Sequence, residues 1–117
     1  MNLQRNKYKN KNVIVDGIEF QSIKESLRYK ELKLLQRAGL IYNLKMQTTF
    51  ELQPSFKRNG KTIRAITYKS DFDYETKDGR HIVEDVKSKA TEKDTVYRIK
   101  RKMLQYKYED IEFKEII

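Results

Sequence analysis

The chain has 117 residues and no Cys, and its 26 Lys and Arg against 17 Asp and Glu give a formal charge of +9. That length limits it to one small core, and the missing Cys excludes disulfides, thiolate zinc sites and thiol catalysis. With His81 as its single His, the chain is left with carboxylates, Lys and Tyr for chemistry and, from its charge, with a polyanion such as nucleic acid as the first partner to consider.

Residues 1–12 are dominated by Lys, Arg and Asn and have no apolar period, so they are expected to be a flexible basic arm ahead of one domain over 13–117. No signal-type segment and no apolar run of the ~20 residues that a membrane span needs is present, so no membrane association is expected. The expected location is cytoplasmic, in the host cell if a phage encodes the chain. Val13-Ile14-Val15 and Ile18-Glu19-Phe20 flank Asp16-Gly17, a dipeptide suited to a tight hairpin. A helix is expected over 22–38, with Leu27, Leu32, Leu34 and Leu35 on its apolar side, Ile23 and Tyr29 helping to cover it, and Gly39 ending it. From 44 to 52 the residues Met46, Thr48, Phe50 and Leu52 alternate with polar ones as in a strand, which Pro54 stops. Asn59-Gly60 marks a turn, and one long strand is expected through Ile63, Ile66, Tyr68, Phe72 and Tyr74 to a second turn at Lys77-Asp78-Gly79. A third strand covers 81–87 and a polar loop 88–94. Thr95 then caps a helix over 96–107 with Val96, Ile99, Met103 and either Tyr106 or Leu104 on its apolar side, and Ile111, Phe113, Ile116 and Ile117 suggest a closing strand. This order predicts an α/β layer fold with a mixed sheet.

Ser70-Asp71-Phe72-Asp73-Tyr74 and Glu84-Asp85-Val86-Lys87 place acids inside mostly apolar strands, where a charge is costly unless paired or functional. If Lys77-Asp78-Gly79 is a three-residue loop with Gly79 in the left-handed region, Thr76 pairs with Arg80 and Asp71 stands opposite Asp85. A two-residue Asp78-Gly79 loop would put Glu84 there instead. Facing carboxylates repel unless a cation joins them, and Mg²⁺ answers that need. Lys87, two residues beyond Asp85, shares its face of the strand and could stabilise charge on a phosphate or orient a water. Solvated edge charges with Lys87 simply pairing Asp85 are the plainer alternative.

In order and type these residues resemble the PD-(D/E)XK nuclease superfamily, with Ser70 where Pro is common, Asp71 as first acid and Asp85-Val86-Lys87 as second acid, spacer and Lys. The stretch 15–87 is also similar to a family of small phage proteins of formerly unknown function, through Asp16-Gly17-Ile18-Glu19-Phe20, Ser22-Ile23-Lys24-Glu25, Leu32, Gly39, Gln47, the run from Tyr68 to Tyr74, and Glu84-Asp85-Val86-Lys87. The layout resembles the catalytic domain of a transposon end-cleaving nuclease as well. The resemblance implies a restriction-endonuclease-like α-β-β-β-α-β core and a Mg²⁺-dependent DNA endonuclease, with Mn²⁺ as substitute. It adds Glu25 as a fourth site residue on the first helix, although Ser22 and Glu25 also spell a capping box. Gln47 would orient water or substrate, or be an exposed strand residue, and Asp73 would tune the metal or be solvated.

For holding DNA the candidates are Arg5, Lys7, Lys9 and Lys11 on the arm, Gln47, Lys89 in the polar loop, and Arg98, Arg101 and Lys102 on the second helix. Nothing spells a base-reading code, so a branched or four-way junction substrate in phage replication or recombination is the expectation, cut by a homodimer with one site per strand. The alternatives are a DNA-binding module that keeps the fold without catalysis, and an interaction protein with an acidic partner.

Overall fold

The structure is a computed structural model that describes residues 12–87 and 94–117. Most of the expected arm lies outside those residues, as does most of the polar loop. The chain adopts the expected α/β class. Strands β1 (Val13–Val15) and β2 (Ile18–Phe20) form a hairpin, followed by helix α1 (Ile23–Arg37) and strands β3 (Ile41–Met46), β4 (Thr49–Gln53), β5 (Phe56–Arg58), β6 (Lys61–Ile63), β7 (Ile66–Lys69), β8 (Phe72–Thr76) and β9 (His81–Val86). Helix α2 (Thr95–Lys107) and strand β10 (Ile111–Ile116) complete it. The central sheet has the order β10-β9-β8-β3, with β9 and β10 parallel and the other pairs antiparallel. Together with α1 and α2 these strands make the α-β-β-β-α-β core.

Each face of the sheet carries a helix and a core. On one side Tyr29 and Leu32 of α1 pack with Phe20, Ile41, Phe72, Tyr74 and Ile82. On the other, Tyr97 and Leu104 of α2 pack with Phe50, Leu52, Tyr68 and Val83. Ile82, Glu84 and Val86 of β9 therefore look toward α1, while Val83 and Asp85 look toward α2, as the two-residue period of a strand requires.

Two expected strands are each split. The first begins earlier, at Ile41, and breaks after Met46, where Gln47 has a positive φ of 55°. The long strand breaks at Arg64-Ala65 and again at Ser70-Asp71. The inner breaks face each other, because Gln47 N–H donates to Asp71 O at 3.1 Å and Ser70 N–H to Thr48 O at 3.0 Å. A kink shared by two paired strands thus replaces two straight ones, and Asp71 lies at the kink.

The helix spans hold but their inward faces are rotated from those expected. On α1 the buried residues are Ser26, Tyr29 and Leu32, whereas Ile23, Leu27 and Leu34 are exposed. On α2 they are Tyr97 and Leu104, whereas Val96, Ile99 and Tyr106 are exposed. The α2 cap is Asp94, not Thr95, with Oδ1 accepting from Val96 N–H at 2.9 Å. Among the described residues no helix is long and apolar enough to cross a membrane.

Candidate active site

The β8–β9 turn fixes the site's register. Gly79, at φ 86°, takes the left-handed position that a residue with Cβ avoids, and Thr76 N–H donates to Arg80 O at 2.9 Å. Phe72 then pairs with Glu84, Asp73 with Val83 and Tyr74 with Ile82. The pairing ends at Phe72 and Glu84; at the kink just beyond, Asp71 N–H donates to Glu84 O at 3.1 Å, and Asp71 lies close enough to Asp85 for their charges to interact. The structure corrects the alternative with Glu84 in the site, because Glu84 points to the α1 side at 0% exposure. Its carboxylate takes Arg28 Nε at 2.8 Å and Arg28 Nη2 at 2.6 Å, and the Tyr74 hydroxyl donates to it as well. Asp73 is likewise no solvated residue. It is buried and accepts from the Thr48 hydroxyl, with His81 Nε2 at 2.9 Å from its other oxygen.

Asp71 Oδ2 accepts from Val86 N–H at 2.6 Å, so the acid's own carboxylate bonds the backbone of β9. Burial pushes Asp71 up to about 8, Asp85 and Glu25 push the same way, and the Val86 bond only partly offsets them. Asp85 is 5% exposed. The Tyr68 hydroxyl donates to its Oδ1 at 2.7 Å, and Lys87 Nζ lies 2.6 Å from Oδ2 in an ion pair whose angles do not meet those of a hydrogen bond. The same ammonium sits 3.5 Å from the centre of the Tyr97 ring, a cation–π contact that fixes its position from α2.

Glu25 reaches this cluster from the first turn of α1. Ser22 Oγ accepts from Glu25 N–H at 3.1 Å, while Glu25 Oε1 accepts from Gln21 N–H, also at 3.1 Å, rather than from Ser22 as a reciprocal capping box requires. Its carboxylate nevertheless shares a cavity of about 190 Å³ with Gln47, Asp71 and Phe72. Capping and membership of the site are therefore compatible. Gln47 owes its place in that cavity to the kink rather than to a strand position.

Three residues around the cluster escape a reading by spacing. Lys24 Nζ donates to Lys87 O at 2.9 Å and ties α1 to the end of β9. Tyr68 and Tyr97 look like core aromatics in the sequence, and the available signal was that a buried Tyr, unlike Phe, needs a partner for its hydroxyl. Among the DNA candidates, Arg98 and Lys102 are exposed on α2. Arg101 instead donates to Glu115 Oε2 at 2.9 Å, on the same carboxylate oxygen that takes the Tyr97 hydroxyl. Arg5, Lys7, Lys9, Lys11 and Lys89 lie outside the described residues.

Glu25, Asp71 and Asp85 thus gather at one end of the sheet with Lys87 paired to one of them. Among the described residues no three His, Asp or Glu side chains are already drawn together as a metal-binding group. The donor set still suits a hard divalent cation. All three are carboxylates, and one oxygen of Asp85 has no hydrogen-bond donor. Asp71 is held near 8 first by burial and then by Asp85 and Glu25, and a bound cation would relieve that repulsion.

The chain belongs to the family described as a protein of unknown function (DUF1064), which matches residues 5–117. No curated protein and no solved structure matches it.

Proposed function

We propose that the chain is a metal-dependent DNA endonuclease of the PD-(D/E)XK type, hydrolysing phosphodiester bonds in branched or junction DNA. One observation carries this reading: Asp71 takes the amide of Val86, the residue between Asp85 and Lys87, and Lys87 Nζ lies 2.6 Å from Asp85. Asp71 and Asp85, with Glu25 directly or through a water, would hold Mg²⁺ or Mn²⁺. When bound, the ion supplies Lewis acidity and a water of lowered pKa. Lys87, nearly buried against Tyr97, is fixed where its ammonium can leave Asp85 for a phosphate oxygen and stabilise charge developing there. Glu25, with Oε1 taken by Gln21 N–H and its carboxylate beside Asp71, would accept a water proton. Cutting both strands of a junction calls for two such sites, hence a homodimer.

Incubation with labelled four-way junction, flap and linear duplex, with Mg²⁺ or with chelator, tests the reading. Nicking that needs Mg²⁺ and falls by about 10²–10³ in Asp71→Asn and Asp85→Asn is expected. Nicking that survives either substitution, or none on any substrate, removes the enzyme. A second reading, a DNA-binding module without catalysis, is favoured by Lys87 sitting on Asp85 and by the lack of a preassembled group of acids among the described residues. It requires DNA binding that neither Mg²⁺ nor Asp71→Asn alters, and no cleavage.

A further inference from the structure

Strands β5 and β6 form a two-stranded ribbon, Phe56 against Ile63 and Arg58 against Lys61, in which every residue is exposed. Among the described residues neither strand pairs with any other, and neither supplies a residue to the two cores. An isolated ribbon is at best marginal in water, so stability does not explain its presence. Its charge is one-sided. From Leu52 to Ser70 the chain carries Lys57, Arg58, Lys61, Arg64 and Lys69 and no acid, although 17 acids occur elsewhere. Among the described residues none of these five cations has an ion-pair partner.

We infer that the β5–β6 ribbon is a DNA-gripping arm that places Lys57, Arg58, Lys61 and Arg64 on the phosphates of a duplex running away from the candidate active site. Two antiparallel strands lie about 5 Å apart, and the ~12 Å major groove admits such a ribbon. Strand β7 connects the ribbon to Asp71, with a break in the strand at each of its ends. At ~3.3 Å per residue, Arg64 lies at most about 23 Å from Asp71 and the Asn59-Gly60 tip at most about 40 Å, a reach close to one ~34 Å turn of B-DNA. A second copy is a poor occupant, since two acid-free ribbons repel each other. The inference rests on the nuclease reading for the placing of the duplex, but not for the binding itself.

The test uses the full chain and its K57A/R58A/K61A/R64A variant. Far-UV circular dichroism and melting should match between them, because the four side chains are exposed. Binding to a fluorescein-labelled 40-bp duplex, followed by anisotropy in chelator over a salt series, should weaken at least tenfold in the variant near physiological salt. The slope of log K against log salt should become shallower by about 0.9 for each phosphate that the variant no longer neutralises. Because the chain has no Cys, K61C carrying a photo-crosslinker gives a unique probe, and its adducts should lie within about one turn on one side of the nick. Unchanged affinity and slope, or adducts scattered over the duplex, overturn the arm. The two readings fail separately: ribbon-dependent binding without cleavage removes the nuclease alone, and cleavage with variant binding like the unaltered chain removes the arm alone.

Discussion

Asp71 combines two demands that conflict in the absence of a cation: its oxygen must take the Val86 amide, and its charge must coexist with those of Asp85 and Glu25. Its carboxyl is held up near 8, above the usual range, so the folded chain binds this proton more tightly than the unfolded one. The stability contribution is therefore complete below the unfolded value near 4 and is lost as pH rises toward 8. In chelator the melting temperature should fall between pH 5 and pH 8, and Asp71→Asn should flatten that decline and raise the value at pH 8. A parallel decline in Asp71→Asn would detach the effect from this residue. Glu84 poses the opposite case, a fully buried acid whose charge is met by a two-bond Arg28 pair and the Tyr74 hydroxyl. Arg28→Met leaves that charge without its cation and should cost about 3–5 kcal/mol, a melting drop on the order of 10 °C. Adding Glu84→Gln should recover part of it. Equal melting of the single and double variants would show that the pair carries little.

At the scale of elements, α2 is anchored by its cap and by one aromatic edge. Asp94 Oδ1 accepts from the first free amides of the helix while Thr95 is already helical, so Asp94→Ala should cost about 1 kcal/mol and Thr95→Ala little. Urea melts decide it, and the reverse ranking would move the cap back to Thr95. The tight turns were legible in the sequence because Asp16-Gly17, Asn59-Gly60 and Gly79 sit where the backbone needs positive φ, as all five do. The turn at Gly79 sets the strand register as far as Phe72 and Glu84, and Asp71 and Asp85 follow just beyond it. The helix faces were not legible, because apolar content did not decide them. Arg28 must reach Glu84 and Tyr29 must reach Asp16, and those bonds turn α1 so that Leu27 and Leu34 face solvent. On α2, Tyr97 covers Lys87 and meets Glu115, which turns Val96, Ile99 and Tyr106 outward. The strand breaks were hidden for a related reason: nothing in the alternation at Gln47 or Ser70-Asp71 distinguishes a straight strand from a kinked one.

Across the whole molecule, charge is sorted by place. A chain of net charge +9 gathers Glu25, Asp71 and Asp85 at one end of its sheet and leaves the β5–β6 ribbon without an acid. The surface field favours a polyanion while the local field favours a cation, and a DNA phosphate bridged to the protein by a divalent ion satisfies both. If the acids bind that ion in the folded chain alone, binding adds RT ln(1 + [L]/Kd) to stability, about 2.7 kcal/mol at a hundredfold excess over Kd. Melting temperature should accordingly climb with Mg²⁺ or Mn²⁺ at pH 8, and climb little at pH 5, where the proton on Asp71 competes with the ion. The increment should vanish in Asp71→Asn and Asp85→Asn but persist in K57A/R58A/K61A/R64A, whose changes lie on the ribbon. Sodium chloride of equal ionic strength should not reproduce it, because screening acts on exposed charges rather than on a nearly buried pair. Stabilisation of equal size in Asp71→Asn would mean that the ion binds elsewhere, and the acids would then need another account of why Lys87 is their paired cation.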